Sequence, residues 1–138
     1  MAITVGGLLT EEQGRTISRR VVSVEGGAIK VEVTFEAHGM YGGQPYTSIG
    51  TYWSIARPGG GLYSEWMGGL KTDNGAGLAS WRGFGAGRLG TDDERTYRGS
   101  VITENATGEL AGLDGLLSVF EFSVDDSGAI ERRTWLLT

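Results

Sequence analysis

Charged side chains inside predicted strands are the residues of this chain best placed to do chemistry. Glu65 and Arg82 lie on neighbouring predicted strands, next to Trp66 and Trp81. If Glu65 points into an apolar interior, desolvation raises its pKa unless Arg82 pairs with it. A carboxyl group with a raised pKa in an apolar pocket is a candidate general acid or base. The alternative is that both side chains belong to a solvated face.

Glu121 is a second carboxylate of this kind. It lies between Phe120 and Phe122, so strand alternation places it on the face opposite the two phenylalanines. It lines the interior only if the phenylalanines face outward into a subunit interface. The candidate catalytic residues are therefore Glu65 and Glu121, and for each the alternative is again a solvated charge.

Aromatic residues are concentrated in the middle of the chain and could line a cavity for a small hydrophobic molecule. A few polar groups would fix its orientation, as in most ligand pockets. The candidate ligand-binding residues are Tyr52, Trp53, Tyr63, Glu65, Trp66, Trp81, Arg82 and Tyr97. The competing interpretation is core packing, because aromatic side chains bury large areas and favour strands. A barrel of about eight strands can fill its interior or hold one small ligand, and glycines opposite aromatic residues favour the cavity.

Two further patterns exclude classes of chemistry. Gly85 to Gly90 has the spacing G-x-G-x-x-G, but a polar turn and another strand follow it. A dinucleotide site needs a helix there, whose N-terminus holds the pyrophosphate, so we expect no cofactor. His38 is the only histidine and there are no cysteines, which excludes a multi-histidine metal site and all thiolate chemistry. We expect no metal.

Length and charge restrict the class of protein. The chain of 138 residues predicts one domain, residues 1–138. Its net charge of −5 argues against nucleic acid and against an anionic membrane surface as partners. No apolar run approaches the ~20 residues of a membrane span. Because the N-terminus lacks the basic and apolar regions of a secretion signal, we expect a cytoplasmic protein.

Turn signals and alternation predict an all-β fold. Glycine-rich turns are predicted at Pro58–Gly61 and Asp73–Gly75, and the alternation over Ile29–Glu36 indicates a half-buried antiparallel strand. The polar stretch Thr10–Gly14 is interpreted as a turn between two strands. The whole pattern gives about eight to ten strands with short connections. Such a meander predicts a closed up-and-down antiparallel barrel, with a sandwich as the alternative.

A family resemblance is carried mainly by the second half of the chain. Its motifs are Gly108-Glu109-Leu110-Ala111-Gly112-Leu113-Asp114-Gly115, the preceding Thr96–Ser100, the following Val119–Asp125, and more loosely Ile49–Tyr52 and Trp81-x-Gly83-x-Gly85. Over about Gly50 to Trp135 the chain resembles small bacterial proteins of uncharacterised function with the allene-oxide-cyclase-like, or calycin-like, β-barrel. This resemblance implies the barrel fold. The group includes cyclases and stereochemistry-directing proteins, and no site residue of allene oxide cyclase maps onto this chain.

Three functions stay open. The first is a barrel that binds a small hydrophobic molecule without covalent chemistry. The second is a cofactor-free cyclase or isomerase of a polyene, oxidised lipid or polyketide, which holds a flexible substrate in a reactive fold while Glu65 or Glu121 assists. The third is a structural or interaction module with a filled barrel and a large apolar outer patch. Apolar residues on both strand faces also predict a homo-oligomer, either a dimer or a trimer.

Overall fold

The protein is a closed barrel of eight antiparallel strands. The computed structural model describes residues 2–138. The strands are β1 (Val5–Glu25), β2 (Ala28–Tyr41), β3 (Gln44–Ala56), β4 (Leu62–Thr72), β5 (Leu78–Leu89), β6 (Arg95–Thr107), β7 (Leu117–Val124) and β8 (Ala129–Leu137). Each strand pairs with the next, and β8 pairs with β1 to close the barrel. The predicted all-β up-and-down barrel is confirmed, with eight strands.

The first strand differs from its prediction. Thr10–Gly14 is not a turn but the middle of β1, which runs unbroken for 21 residues. A Cβ atom on Gly14 would lie 1.9 Å from the carbonyl oxygen of Glu36, so this glycine permits close approach of β1 to β2 rather than a reversal. β1 pairs with β8 as far as Arg15 and with β2 from Gln13 onward, so one long strand closes the barrel.

Glycines and aromatic rings fit together inside the barrel. A Cβ on Gly68 would lie 2.4 Å from the ring of Trp81, and one on Gly87 would lie 2.4 Å from the ring of Tyr97. The rings therefore lie directly over backbone that carries no side chain. The prediction that glycines opposite aromatic residues open a cavity is wrong at these two positions, because the rings occupy the space that the glycines leave.

The two ends of the barrel are built differently. At one end, here called the open end, lie the connections 26–27, 57–61, 90–94 and 125–128. At the other, the closed end, lie 42–43, 73–77 and 108–116, together with the start of β1 and the end of β8. A 3-10 segment, Gly108–Leu113, covers the closed end and buries Leu110 and Leu113. This segment, Gly108–Leu113, contains both leucines of the Gly108–Gly115 motif and is called the plug below. Within residues 2–138 no helix has the length and apolarity to cross a membrane.

Candidate functional site

Four of the predicted aromatic ligand-binding residues lie inside the barrel and form its core. These are Tyr52, Trp66, Trp81 and Tyr97, all buried. The rings of Tyr52 and Trp66 stack with centroids 4.0 Å apart, and Trp66 contacts Tyr97 edge-on at 5.3 Å. Phe35 and Phe122 pack against the same group. A cavity of about 20 Å³ lies beside Trp81 towards the closed end, and the contacting rings fill the middle of the lumen.

The other four predicted binding residues lie on the outer surface. Trp53 and Tyr63 contact each other there, with ring centroids 5.5 Å apart. The hydroxyl of Tyr63 donates a hydrogen bond of 2.9 Å to Glu65, and Arg82 pairs with Glu104 at 3.0 Å. The structure therefore corrects the prediction of an inward Glu65–Arg82 anchor. Each of the four alternates with a neighbour that points inward, and alternation allows only one of two adjacent residues inside.

Glu121 also lies outside the lumen. Phe120 and Phe122 are buried, and Glu121 is exposed between them with Arg98 3.8 Å away. Its predicted placement opposite the phenylalanines is confirmed. Neither Glu65 nor Glu121 reaches the interior, so the structure does not bring an acid–base pair together there.

A buried ion pair near the closed end was missed by sequence reasoning. One nitrogen of Arg132 lies 3.2 Å from each carboxylate oxygen of Glu12, and both side chains are at most 3% exposed. Tyr46 donates a 2.7 Å hydrogen bond to the same carboxylate, and the guanidinium lies 4.3 Å from the centre of the Trp81 ring. Burial, and then the charge of Glu12, raise the pKa of Tyr46 well above its usual value, so this hydroxyl stays protonated. The partners of the pair are all internal, which is typical of a structural role.

A sequence signal for this pair existed. Thr10, Glu12, Gly14 and Thr16 occupy alternate positions and share the inner face of β1. Arg132 lies on the inner face of β8. The interpretation of Gly14 as a turn residue hid the alternation. Without β1 as a continuous strand, nothing placed Glu12 opposite Arg132, with which it is in register.

The open end contains a recess of about 520 Å³. Its lining comes from six strands and two connections: Thr16, Arg19, Val33, Tyr52, Leu89, Asp93, Arg95, Val124, Asp125, Asp126, Ser127 and Gly128. Tyr52 joins the recess to the aromatic core. Val33, Leu89 and Val124 give it apolar walls, while two arginines supply positive charge. The recess thus combines apolar and charged residues and lies directly above the filled lumen.

The arginines of this recess lack internal partners. Neither Arg19 nor Arg95 has a carboxylate within 4.0 Å among residues 2–138. The hydroxyl of Tyr97 donates to Ser54 at 3.1 Å, whereas that of Tyr52 makes no hydrogen bond to another described residue. Burial raises the pKa of both tyrosines, and Arg95 and Arg19 oppose that effect only in part. Both hydroxyls are therefore neutral hydrogen-bond donors at neutral pH.

The rim of the recess is formed by two constrained turns. Asp92 and Asp93 adopt positive φ angles of 60° and 59°, a region that costs a residue with a side chain about 1 kcal/mol or more. In the other turn the carboxylate of Asp125 accepts hydrogen bonds from the backbone and side chain of Ser127 and from the backbone of Ala129. The hydrogen bond from Ser127 is the main reason that the pKa of Asp125 is lowered. Asp125 is thereby engaged by its own turn and does not reach across to the arginines.

Comparisons with known proteins identify the fold. No protein-family model matches the chain, and no curated protein matches its sequence. The chain is similar in structure to a conserved protein of unknown function from Rhodopseudomonas palustris, with a TM-score of 0.78, 12% identity and coverage of 100% of this chain and 99% of that one. It is also similar to a protein of unknown function from Clostridium acetobutylicum ATCC 824, with a TM-score of 0.79, 8% identity and coverage of 99% and 100%. At these identities the similarity shows the fold alone.

Within the described residues, no group of three or more histidine, cysteine, aspartate or glutamate side chains is arranged to hold a metal ion. The recess at the open end offers the two arginines, the hydroxyl of Tyr52 and apolar walls for recognition, with the carboxylates of Asp93, Asp125 and Asp126 along its rim. This combination can bind an anionic group and an adjoining apolar body.

Proposed function

We propose that the protein binds a small molecule with an apolar body and an anionic group in the recess at the open end. The observation that carries this proposal is that Arg19 and Arg95 flank Tyr52 in a recess of about 520 Å³ without a carboxylate partner. The third arginine facing the interior, Arg132, is fully neutralised by Glu12. Among these three arginines, only the two at the open end have no carboxylate within 4.0 Å.

The chemistry of the recess suits such a ligand. A guanidinium group binds a carboxylate through two parallel hydrogen bonds, and the neutral hydroxyl of Tyr52 can donate a further one. Val33, Leu89 and Val124 would contact the apolar body. Small-molecule pockets typically span about 300 to 1,000 Å³ and occur in the mouths of β-barrels. The recess meets both conditions.

This proposal moves the ligand from the lumen to the mouth. Trp66 and Trp81 serve as the packed floor beneath the ligand rather than as walls around it. The proposal is binding without covalent chemistry, because Glu12 is the only buried acidic residue of 2–138 and is held by Arg132 and Tyr46. We also propose kinship with the allene-oxide-cyclase-like, calycin-like barrels, which the eight-strand meander and the Gly108–Leu113 plug support.

Calorimetric titration with octanoate and with octanol tests the anionic requirement. The two probes share one apolar chain and differ in the charged group. We expect octanoate to bind more tightly, and Arg95→Gln to weaken it roughly tenfold or more, since hydrogen bonds to charged groups contribute about 1.5–3 kcal/mol. Arg19→Gln should act in the same direction.

The matched control is Arg88→Gln, which alters an exposed arginine outside the recess. It should leave the affinity for octanoate unchanged. Equal affinity for octanol and octanoate, or equal loss in Arg88→Gln and Arg95→Gln, would contradict the proposal.

Native mass spectrometry of the protein purified from its own host tests which natural ligand it binds. Denaturing extraction should release a molecule that carries a carboxylate, phosphate or sulfate group on an apolar skeleton. A bound molecule with no anionic group would count against the role assigned to the two arginines.

A further inference from the structure

The outer face of β3 to β6 carries an apolar groove of about 500 Å³. Met67 and Phe84 lie in it with 61% and 59% of their surface exposed, between Trp53 and Ile102. Strand pairing between β4 and β5 is regular over ten residue pairs, without a bulge. Large exposed apolar patches on a regular sheet are typical of interaction surfaces.

Apolar and charged residues alternate in this groove in both directions. Across the β4–β5 ladder, Glu65 is paired with Phe84 and Met67 with Arg82, and all four side chains point outward. The four positions form a block in which the charged residues occupy one diagonal and the apolar residues the other. Such a block is complementary to itself, because rotation about the apolar diagonal exchanges the positions of the two charges.

The charges of the block are open to a partner. Glu65 has no cation within 4.0 Å among residues 2 to 138, and its one side-chain hydrogen bond comes from Tyr63. Arg82 uses one nitrogen for Glu104, and its side chain is 72% exposed, so most of its five donors are free. A second copy of the chain would bring to Glu65 the cation that its own subunit does not supply.

We propose that a second copy of this chain covers the groove, with a twofold axis along the diagonal from Met67 to Phe84. Each apolar residue then packs against its equivalent, and Glu65 faces the partner's Arg82 twice, once in each direction. Closed twofold dimers with such isologous contacts are the commonest soluble oligomers. The inference concerns the outer face and does not depend on the function proposed for the open end.

The free edge of β1 also exposes apolar residues, but it is less suited to pairing. Beyond Arg15 the second half of β1 pairs only with β2, which leaves a free strand edge with exposed Val21 and Val24. Two register shifts interrupt this half, and Arg19 and Arg20 lie on it. Bulges and charges are the usual devices that prevent edge pairing. The β4–β5 ladder beneath the groove has no register shift, and its two charges lie opposite their complements in a twofold pair.

Sedimentation velocity over micromolar to submillimolar concentrations tests the dimer. The wild-type protein should show a concentration-dependent dimer. Glu65→Arg and Arg82→Glu each place like charges opposite each other twice, so each should raise the dimer dissociation constant by at least about tenfold. The double variant restores opposite charges across the axis and should recover most of the lost affinity.

Two controls separate the groove from general effects. Arg98→Glu changes a similarly exposed ion pair between β6 and β7 and should leave the dimer intact, as should Leu78→Ser on β5. Phe84→Ser, by contrast, should dissociate it. A wild-type monomer at all concentrations, including one whose groove binds an apolar dye, would overturn the proposal. So would a dimer that Phe84→Ser and both charge reversals leave unchanged.

Discussion

Arginines occupy both ends of the barrel interior, but their surroundings differ. At the closed end Arg132 lies against Glu12, with Tyr46 and Trp81 completing its contacts. At the open end Arg19 and Arg95 have no carboxylate within 4.0 Å in the part of the chain that the structure describes. Arginine thus completes a buried ion pair at the closed end, whereas at the open end we propose that it binds a ligand.

The difference follows from access to water. A buried charge without a partner is strongly unfavourable, so a charge sealed beneath the Gly108–Leu113 plug requires an internal counter-ion. A charge at the mouth stays solvated and needs none. The unpaired arginines beside a neutral tyrosine are the reason that we propose a ligand anion at the open end.

Removal of the closed-end arginine should have the largest effect on stability. Arg132→Met leaves Glu12 buried and unpaired, which costs about 3–5 kcal/mol of unfolding free energy. Urea unfolding measures this loss. The matched change at the open end, Arg19→Met, should stay within about 0.5 kcal/mol, as is usual for surface substitutions.

A double variant sharpens this contrast. Glu12→Met combined with Arg132→Met removes both charges, and replacement of a whole buried pair by apolar residues is often close to neutral. The double variant should therefore be more stable than Arg132→Met alone. If Arg19→Met and Arg132→Met cost the same, the distinction between the two ends fails.

The addition of a single methyl group tests whether the lumen between the two ends is filled. Gly68→Ala would place a Cβ 2.4 Å from the ring of Trp81 and should cost about 1–3 kcal/mol, the usual range for overpacking. Gly7→Ala is the control, because nothing lies within 4 Å of the added Cβ there. Tolerance of Gly68→Ala in the same unfolding assay would show that the lumen has free space.

Alkaline pH should destabilise the fold through its buried tyrosines. Burial raises the pKa of Tyr46, Tyr52 and Tyr97 in the folded state, whereas the unfolded chain titrates near pH 10. Above about pH 10 the unfolded state loses these protons first. The contribution is therefore complete below that pH and is lost as pH rises through the folded-state values.

Unfolding curves between neutral pH and pH about 11 measure this dependence. Tyr52→Phe should make the slope shallower by up to about 1.4 kcal/mol per pH unit, the effect of one titrating group. An unchanged slope would indicate that Tyr52 titrates alike in both states and is not shielded by the aromatic core.

The sequence predicts the barrel well because its signals are local. Alternation and glycine turns place Tyr52 and Trp53 on opposite faces of one strand, and likewise Trp81 and Arg82. Which face is inward depends on closure of the whole barrel, and no local pattern reports that. The predicted binding set therefore mixes core residues with outer ones.

The candidate site was beyond the reach of sequence reasoning for a related reason. Arg19, Arg95 and Val124 come from distant parts of the chain and meet only where the strands end. Arg19 had no distinguishing neighbour in sequence, and Arg95 follows an acidic turn that reads only as a connection. Their significance rests on the absence of carboxylate partners, which is a property of the folded state.

Amide chemical-shift mapping during titration with octanoate tests the central claim most directly. The account predicts that the amides that shift cluster around Arg19, Tyr52, Arg95 and the turn at Asp125–Gly128, while those around Glu12 and Arg132 stay unchanged. Shifts centred on the outer groove near Trp53 and Phe84, or no saturable shifts at the open end, would contradict it.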